Sequence, residues 1–252
     1  MKKTLTYTFS FLAAILFFAF TIETGKTKVY LIGDSTMSIK SVSNYPETGW
    51  GMPFKWFFDE SIDVDDRALN GRSTRTFFEE KKWTAVMDSL KAGDYVFIQF
   101  GHNDEVQTKR SATSPDEFVR FLTMYVNDSR SKQAIPVLIT PVARRKFDSI
   151  GNLEDTHKDY AELVRKTAVK LDVPLIDLSE KSMALLREMG VENSKYLYNH
   201  LEPGQNPNYP KGKIDNTHFS EFGARRMAEL VLAEIRKMDL PLKEHIVNRT
   251  KK

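Results

Sequence analysis

Five short apolar runs recur along this chain at intervals that leave room for a helix between each pair: Lys28 to Ile32, Ile62 to Ala68, Tyr95 to Phe100, Pro136 to Thr140 and Pro174 to Leu178. Runs of this length suit strands buried on both faces. Between and after them stand stretches of helical periodicity, Phe54 to Asp59, Phe77 to Leu90, Asp155 to Leu171 and Glu221 to Met238. A further helix opens with Ser114 as N-cap and Pro115 at its first position and runs to about Arg130. Strands alternating with helices predict an α/β domain whose parallel sheet is covered on both faces. Two polar segments interrupt the alternation and read as loops: Ile39 to Gly51, which contains Pro46, and Tyr196 to Ile214, rich in Asn, Pro, Gly and Tyr.

Open α/β sheets place their ligand crevice beyond the carboxyl ends of the strands. The first apolar run ends in Gly33-Asp34-Ser35, which leaves Ser35 where a nucleophile belongs, although Gly-Asp-Ser also serves as an ordinary turn. Near the other end, Asp215-Asn-Thr-His-Phe-Ser220 puts a carboxylate three residues before a histidine, just ahead of the last helical stretch. Acyl transfer needs a nucleophile, a base, an orienter for the base and donors for the oxyanion. Ser35, His218 and Asp215 supply the first three, since a carboxylate accepting the Nδ1 proton turns Nε2 toward the serine. The alternative for the pair is an N-capping Asp beside a solvated His. Oxyanion donors are available after the second run, in Asn70-Gly71-Arg72-Ser73, and after the third, in Gly101-His102-Asn103-Asp104. Gly71 lets a backbone N–H approach a ligand closely and the Asn103 amide can donate, with the Ser35 N–H as a third donor; either block also reads as a plain turn. In a parallel sheet all four blocks converge on one edge.

Together these blocks resemble those of the SGNH, or GDSL-type, hydrolase superfamily across essentially the whole chain after residue 24. The resemblance implies a flavodoxin-like three-layer α/β/α sandwich. It also implies Ser35, Asp215 and His218 as catalytic triad, and Ser35, Gly71 and Asn103 as oxyanion hole. Within the superfamily the chain is most similar to the rhamnogalacturonan acetylesterases. The features that carry this are Gly33-Asp-Ser-Thr-Met37, Gly49-Trp50-Gly51, Asn70-Gly-Arg-Ser-Thr74, Gln99-Phe-Gly-His-Asn-Asp104, Thr140-Pro141-Val142 with Arg144, and Asp215 to Ser220. That likeness implies removal of acetyl groups from rhamnogalacturonan or another pectic polymer. Two alternatives remain open: the same triad acting on acetylated xylan, a lipid or a thioester, and a non-catalytic glycan-binding protein, which would need a broken triad.

A pectic backbone carries uronate carboxylates, which guanidinium forks match. Arg72, Arg75, Arg144, Arg145, Lys211 and Lys213 stand in segments expected to rim the crevice, though any one alone is ordinary surface charge. Trp50, Tyr198 and Tyr209 lie in the irregular segments, where an exposed ring stacks on a sugar and a buried one packs. His200 is a further candidate contact. No histidine outside the triad is paired with Cys or a carboxylate at ligand spacing, so neither metal nor cofactor is expected. No long apolar tract offers a lid for an acyl chain.

With 37 basic and 34 acidic residues, the charge excess is too small for a nucleic-acid binder; the expected partner is an acetylated plant cell-wall polysaccharide or oligosaccharide. The chain begins Met1-Lys2-Lys3, continues apolar from Phe9 to Phe20 and turns polar from Thr21. That order predicts a signal peptide over about residues 1–24, and so a secreted or periplasmic protein with no membrane contact after cleavage. The apolar stretch is shorter than the roughly 20 residues a spanning helix needs. Residues 25–240 are then the hydrolase domain and 241–252 a polar, frayed tail. With no cysteine, stability must come from packing. A monomer is expected.

Overall fold

Alternate residues of the first strand, β1 (Thr27–Gly33), face two different cores. Val29 and Leu31 pack with Trp50 and Phe54, while Tyr30 and Ile32 pack with Phe77, Trp83 and Phe118. This comes from a computed structural model that describes residues 25–247; the expected signal segment lies outside the described residues. β1 pairs in parallel with β2 (Ile62–Asp66) on one side and β3 (Tyr95–Gln99) on the other. β4 (Ile135–Ile139) and β5 (Leu175–Ile176) extend the sheet, again in parallel, to the order β2-β1-β3-β4-β5. In this flavodoxin-like order the connections reverse direction between β1 and β3, which opens a crevice beyond their carboxyl ends.

Helices cover both faces. The first core is closed by α1 (Gly51–Phe54), α6 (Leu178–Asn193) and α7 (Glu221–Ile235). The second is closed by α2 (Thr74–Glu79), α3 (Lys82–Ser89), α4 (Pro115–Ser131) and α5 (Lys158–Leu171). The α4 start follows the expected chemistry: Glu117 N donates to Ser114 Oγ while Ser114 N donates to the Glu117 carboxylate, a reciprocal capping box.

Several elements differ from the sequence reading. The single helix expected over Phe77 to Leu90 is two, broken where Lys81 enters the left-handed region at φ 59°. Phe77 and Trp83 are six residues apart and would point about 120° apart on one continuous helix. The break turns both onto Tyr125, with ring centroids at 6.4 and 4.9 Å. The stretch Phe54 to Asp59 holds only the end of α1 and a 3-10 turn over Lys55–Phe57. α6 was not foreseen, because its buried face includes Ser179 and Ser182 where apolar residues signal a helix. Ser182 Oγ donates to Leu178 O and accepts from Ala143 N, so the hydroxyl is satisfied inside the core. The loop expected over Tyr196 to Ile214 contains β6 (Tyr198–Leu201), which pairs antiparallel with β7 (Lys213–Phe219). Nor does the chain leave the domain at residue 240. Leu242 and Ile246 are buried, and Val247 N donates to Phe57 O at 2.9 Å.

Gly223, in the first turn of α7, lies against the turn before β6 so closely that a Cβ would meet Leu197 O at 1.7 Å. Alanine in place of a helical glycine ordinarily stabilises by about 1 kcal/mol. Here the clash should reverse the sign, and Gly223→Ala is expected to cost about 1–3 kcal/mol in urea unfolding. An unchanged or raised unfolding midpoint would contradict this packing.

Candidate active site

β1 must end in glycine, because a Cβ on Gly33 would lie 2.6 Å from the Gln99 carbonyl of β3. The chain then turns around the buried Asp34, whose Oδ1 accepts from Thr36 N (2.9 Å) and Thr36 Oγ1 (2.8 Å). Gln99 Nε2 donates to Thr36 Oγ1 at 2.7 Å, and Trp50 Nε1 donates to Gln99 Oε1 at 2.8 Å. Trp50, Gln99, Thr36 and Asp34 thus form one hydrogen-bonded line that holds the turn and leaves the Ser35 side chain at its mouth. Burial pushes the Asp34 carboxyl above its ordinary range.

The histidine arrives on the β6–β7 ribbon. Tyr198 pairs with Phe219 and His200 with Ile214, so two steps along β6 span five along β7, and Asp215 to His218 bulge out of the ladder. The Asp215 side chain organises that bulge: Oδ1 accepts from Thr217 N (2.8 Å) and His218 N (2.9 Å). Its Oδ2 lies 2.9 Å from His218 Nδ1, and His218 Nε2 lies 2.9 Å from Ser35 Oγ. The three-residue spacing therefore works on a bulged strand, and not on a turn leading into the last helix. Burial raises the Asp215 pKa, but the His218 ring and the His218 and Thr217 amides outweigh it and hold the carboxyl well below the usual carboxylate range. Two arginines brace the bulge from outside: Arg144 donates to Thr217 Oγ1 (2.7 Å), and Arg145 to Asn216 Oδ1 (3.0 Å).

Ser35, Gly71, Asn103, Arg144 and His218 line one cleft of about 370 Å³. Gly71 sits at φ +76°, a conformation that favours glycine, with open space where a Cβ would be. Asn103 Nδ2 donates to Arg72 O at 3.1 Å and its Oδ1 accepts from Lys109 Nζ at 3.3 Å, which fixes the amide's orientation and leaves one N–H uncommitted by these contacts. Asp104 ties the turn after β3 to the start of α2, accepting from Thr74 N (3.0 Å) and Thr74 Oγ1 (2.6 Å); burial lifts its carboxyl to about 7.

Other expected contacts lie elsewhere. Trp50 is fully buried against Phe54 and is no sugar platform. Tyr198 is buried too, its hydroxyl donating to Ala143 O, and the half-buried Tyr209 donates to Asn44 O. His200 Nε2 faces Asn216 Oδ1 at 2.9 Å and does not line the cleft. Arg145 is nearly buried and structural. Arg72 and Arg75 line an adjoining recess of about 830 Å³, which shares Gly71 and Lys109 with the cleft. Arg72 pairs there with Glu80 at 2.9 Å, and Arg75 lies 4.0 Å from Glu79. Sequence reasoning missed Glu47 and Lys109, cleft residues in polar segments whose only signal is charge.

Among the described residues, one group has donors close enough together for a metal ion: Glu47, Asp215 and His218, whose ligand atoms lie within 4.8 Å of one another. Lys40 stands 3.0 Å from Glu47, and Lys213 stands 3.7 Å from Glu47 and 3.4 Å from Asp215. Two ammonium groups already balance these carboxylates, and His218 Nδ1 is engaged with Asp215, so the set does not suit a divalent cation. A hydroxyl, an imidazole and a carboxylate in sequence, beside N–H donors of residues that line the same cleft, are instead equipped for acyl transfer.

The model of the GDSL-like Lipase/Acylhydrolase family matches residues 31–226, and the chain belongs to this family of carboxylic ester hydrolases. Rhamnogalacturonan acetylesterase RhgT of Bacillus subtilis (strain 168) is 43% identical over 223 residues, covering 88% of this chain and 95% of the relative. Probable rhamnogalacturonan acetylesterase YesY of the same organism is 38% identical, covering 87% and 97%. The crystal structure of Bacillus subtilis YxiM matches with a TM-score of 0.74 at 25% identity, over 86% of this chain and 58% of that one. Axe2, an acetylxylan esterase from Geobacillus stearothermophilus, shares the fold with a TM-score of 0.61 at 16% identity, over 84% and 96%.

Because the Asp215 pKa is depressed in the folded protein, its ionised form contributes stability above about pH 4, the unfolded value, and that contribution is lost as pH falls toward the folded value. Asp215→Asn should therefore be less stable than wild type at pH 7, with the gap narrowing below about pH 4. Thermal unfolding across that range checks this; a gap equally wide at pH 7 and pH 3 would contradict it.

Proposed function

We propose that the protein is a secreted or periplasmic acetylesterase that removes acetyl groups from rhamnogalacturonan or a closely similar pectic polysaccharide. The observation that carries the chemistry is the unbroken line from Ser35 Oγ through His218 to Asp215, two contacts of 2.9 Å at the wall of a cleft. His218 Nε2 takes the Ser35 proton as Oγ attacks the acetyl carbonyl. The oxyanion is received by the N–H groups of Ser35 and Gly71 and by Asn103 Nδ2. Collapse expels the sugar hydroxylate, which takes the proton back from His218. Water, deprotonated in turn by His218, then releases acetate from Ser35.

Three features support this reading of substrate and location. RhgT and YesY, similar along nearly their whole lengths, carry the rhamnogalacturonan acetylesterase name. The apolar amino-terminal stretch behind Lys2 and Lys3 supports export. In the recess beside the cleft, Arg72 and Arg75 have glutamate neighbours, whereas among the described residues no carboxylate stands within ion-pair distance of Lys109 or Arg110. A uronate on the sugar next to the acetylated one would supply that missing charge. Acetylated xylan, a neutral backbone, would not.

Ser35→Ala should lower acetate release by at least about 10⁴-fold while leaving the unfolding transition in place. Wild type should release acetate faster from acetylated rhamnogalacturonan than from acetylated xylan or long-chain p-nitrophenyl esters. Arg110→Glu should reduce kcat/KM on the pectic polymer roughly fivefold more than on p-nitrophenyl acetate. Activity retained without Ser35 would refute the mechanism. A preference for xylan or long acyl chains would refute the substrate.

A further inference from the structure

Lys40 lies directly beneath the proposed nucleophile, with its side chain wholly buried. An ammonium has three N–H donors, and here each meets an acceptor from a different segment. Nζ donates to the Ser35 carbonyl at 2.5 Å, to Asn70 Oδ1 at 2.7 Å and to Glu47 Oε1 at 3.0 Å. Ser38 Oγ donates to the same Asn70 oxygen at 2.6 Å. Lys40 does not line the cleft, so it touches neither substrate nor the reacting atoms.

Burying a charge costs several kcal/mol of desolvation, and an apolar side chain of similar volume is often no worse for stability. Desolvation pushes the Lys40 pKa down, and Glu47 opposes it. The hydrogen bonds identify what the charge accomplishes. Ser35 and Gly71 sit on turns after different strands, β1 and β2, yet their N–H groups must converge on one oxygen atom. Asn70 immediately precedes Gly71, and Asn103 is fastened by Nδ2 to the carbonyl of Arg72, the residue after it. All three proposed donors are thereby referred to one frame: Ser38 and Lys40 both bond the nucleophile's turn to Asn70, and of the two only Lys40 also holds the Ser35 carbonyl.

We propose that Lys40 is a positioning residue for acyl transfer: its ammonium locks the Ser35 turn to the Asn70-Gly71 turn and so sets the geometry of the oxyanion hole. Glu47 is its counter-charge. The proposal rests on the reading of Ser35 as nucleophile. An oxyanion exists only in the transition state and the tetrahedral intermediates, so losing this lock should lower kcat and leave KM nearly alone.

The test compares Lys40→Met, which keeps an unbranched stem, with Asn70→Ala and the double variant, using an acetyl ester and an arylboronic acid. Boron accepts the Ser35 oxygen as the serine proton passes to His218, giving a tetrahedral anion in the same hole. Lys40→Met should lower kcat about 100-fold with KM within about threefold, and should weaken boronate inhibition by a similar factor. Asn70→Ala should act in the same direction, and the double variant should lose little more than the worse single one, because both break one frame. Unchanged kcat and boronate affinity in Lys40→Met would overturn the proposal, as would fully additive losses. A fall in melting temperature without loss of boronate affinity would reduce Lys40 to a packing role and overturn it too. If Lys40→Met fails to fold, Asn70→Ala decides alone, and full kcat with full boronate affinity refutes the lock. Failure of the underlying reading looks different: Ser35→Ala would then keep its activity, or wild type would resist the boronate.

Discussion

β1 closes against β3 with no side chain between them, since a Cβ on Gly33 would strike the Gln99 carbonyl. The site depends on that contact. It brings the Gln99 side chain under the turn that follows β1, where the amide donates to Thr36 and accepts from Trp50. The turn inherits its position from the sheet, which is held by two extensive cores, and not from the surface loops around it. Because β1 and β3 also flank the point where the connections reverse, the same closure puts Ser35 beside Asn103. The carboxyl end of β1 is therefore a close backbone contact with β3 and the support on which the Ser35 turn stands.

His218 reaches Ser35 by another route. β7 is one half of a two-stranded ribbon, a type of element with little stability of its own. What makes it a firm mount is the Asp215 carboxylate, which accepts two backbone N–H groups of the bulge and faces the imidazole with its other oxygen. Arg144 and Arg145 then fasten the bulge to the turn after β4. Several buried ionisable groups surround the site. Burial raises Asp66 to about 8 and Asp104 to about 7, and keeps His102 neutral beside the His157 ring at 4.2 Å. Such groups cost stability, and their concentration here fits a region shaped for geometry more than for packing energy.

The sequence made the sheet legible because its central strands β1, β3 and β4 are apolar runs buried on both faces, whereas the edge strand β2 is Ile-Asp-Val-Asp-Asp with only Ile62 buried. Ser114 and Pro115 likewise marked α4 through local capping chemistry. Elements whose form depends on distant partners were hidden. α6 turns two serines inward, one of them satisfied by Ala143 N from another segment. The ribbon is built from Asn, His, Lys and Asp, with no alternation strong enough to signal a strand. At the site, Ser35, Asp215 and His218 could be named from motifs, and the cleft gathers Ser35 and His218 with Gly71, Asn103 and Arg144. Trp50 could not be judged, since a ring in a polar loop faces out or in with equal reason, and it is the Gln99 side chain and the Phe54 ring that hold it in the core. Lys40 carried no signal at all. In sequence it is one more lysine, and its three acceptors come together only when β1 and β2 lie side by side.

The central claim is that acetyl passes through Ser35, and the most direct measurement is the mass of the enzyme caught during turnover. Wild type mixed with excess p-nitrophenyl acetate and quenched in acid within milliseconds should carry the added mass of one acetyl group, confined after digestion to the peptide containing Ser35. Replacing His218 should abolish that species. Turnover with no acetylated protein at any quench time, or acetyl found on a different residue while Ser35 stays unmodified, would contradict the account.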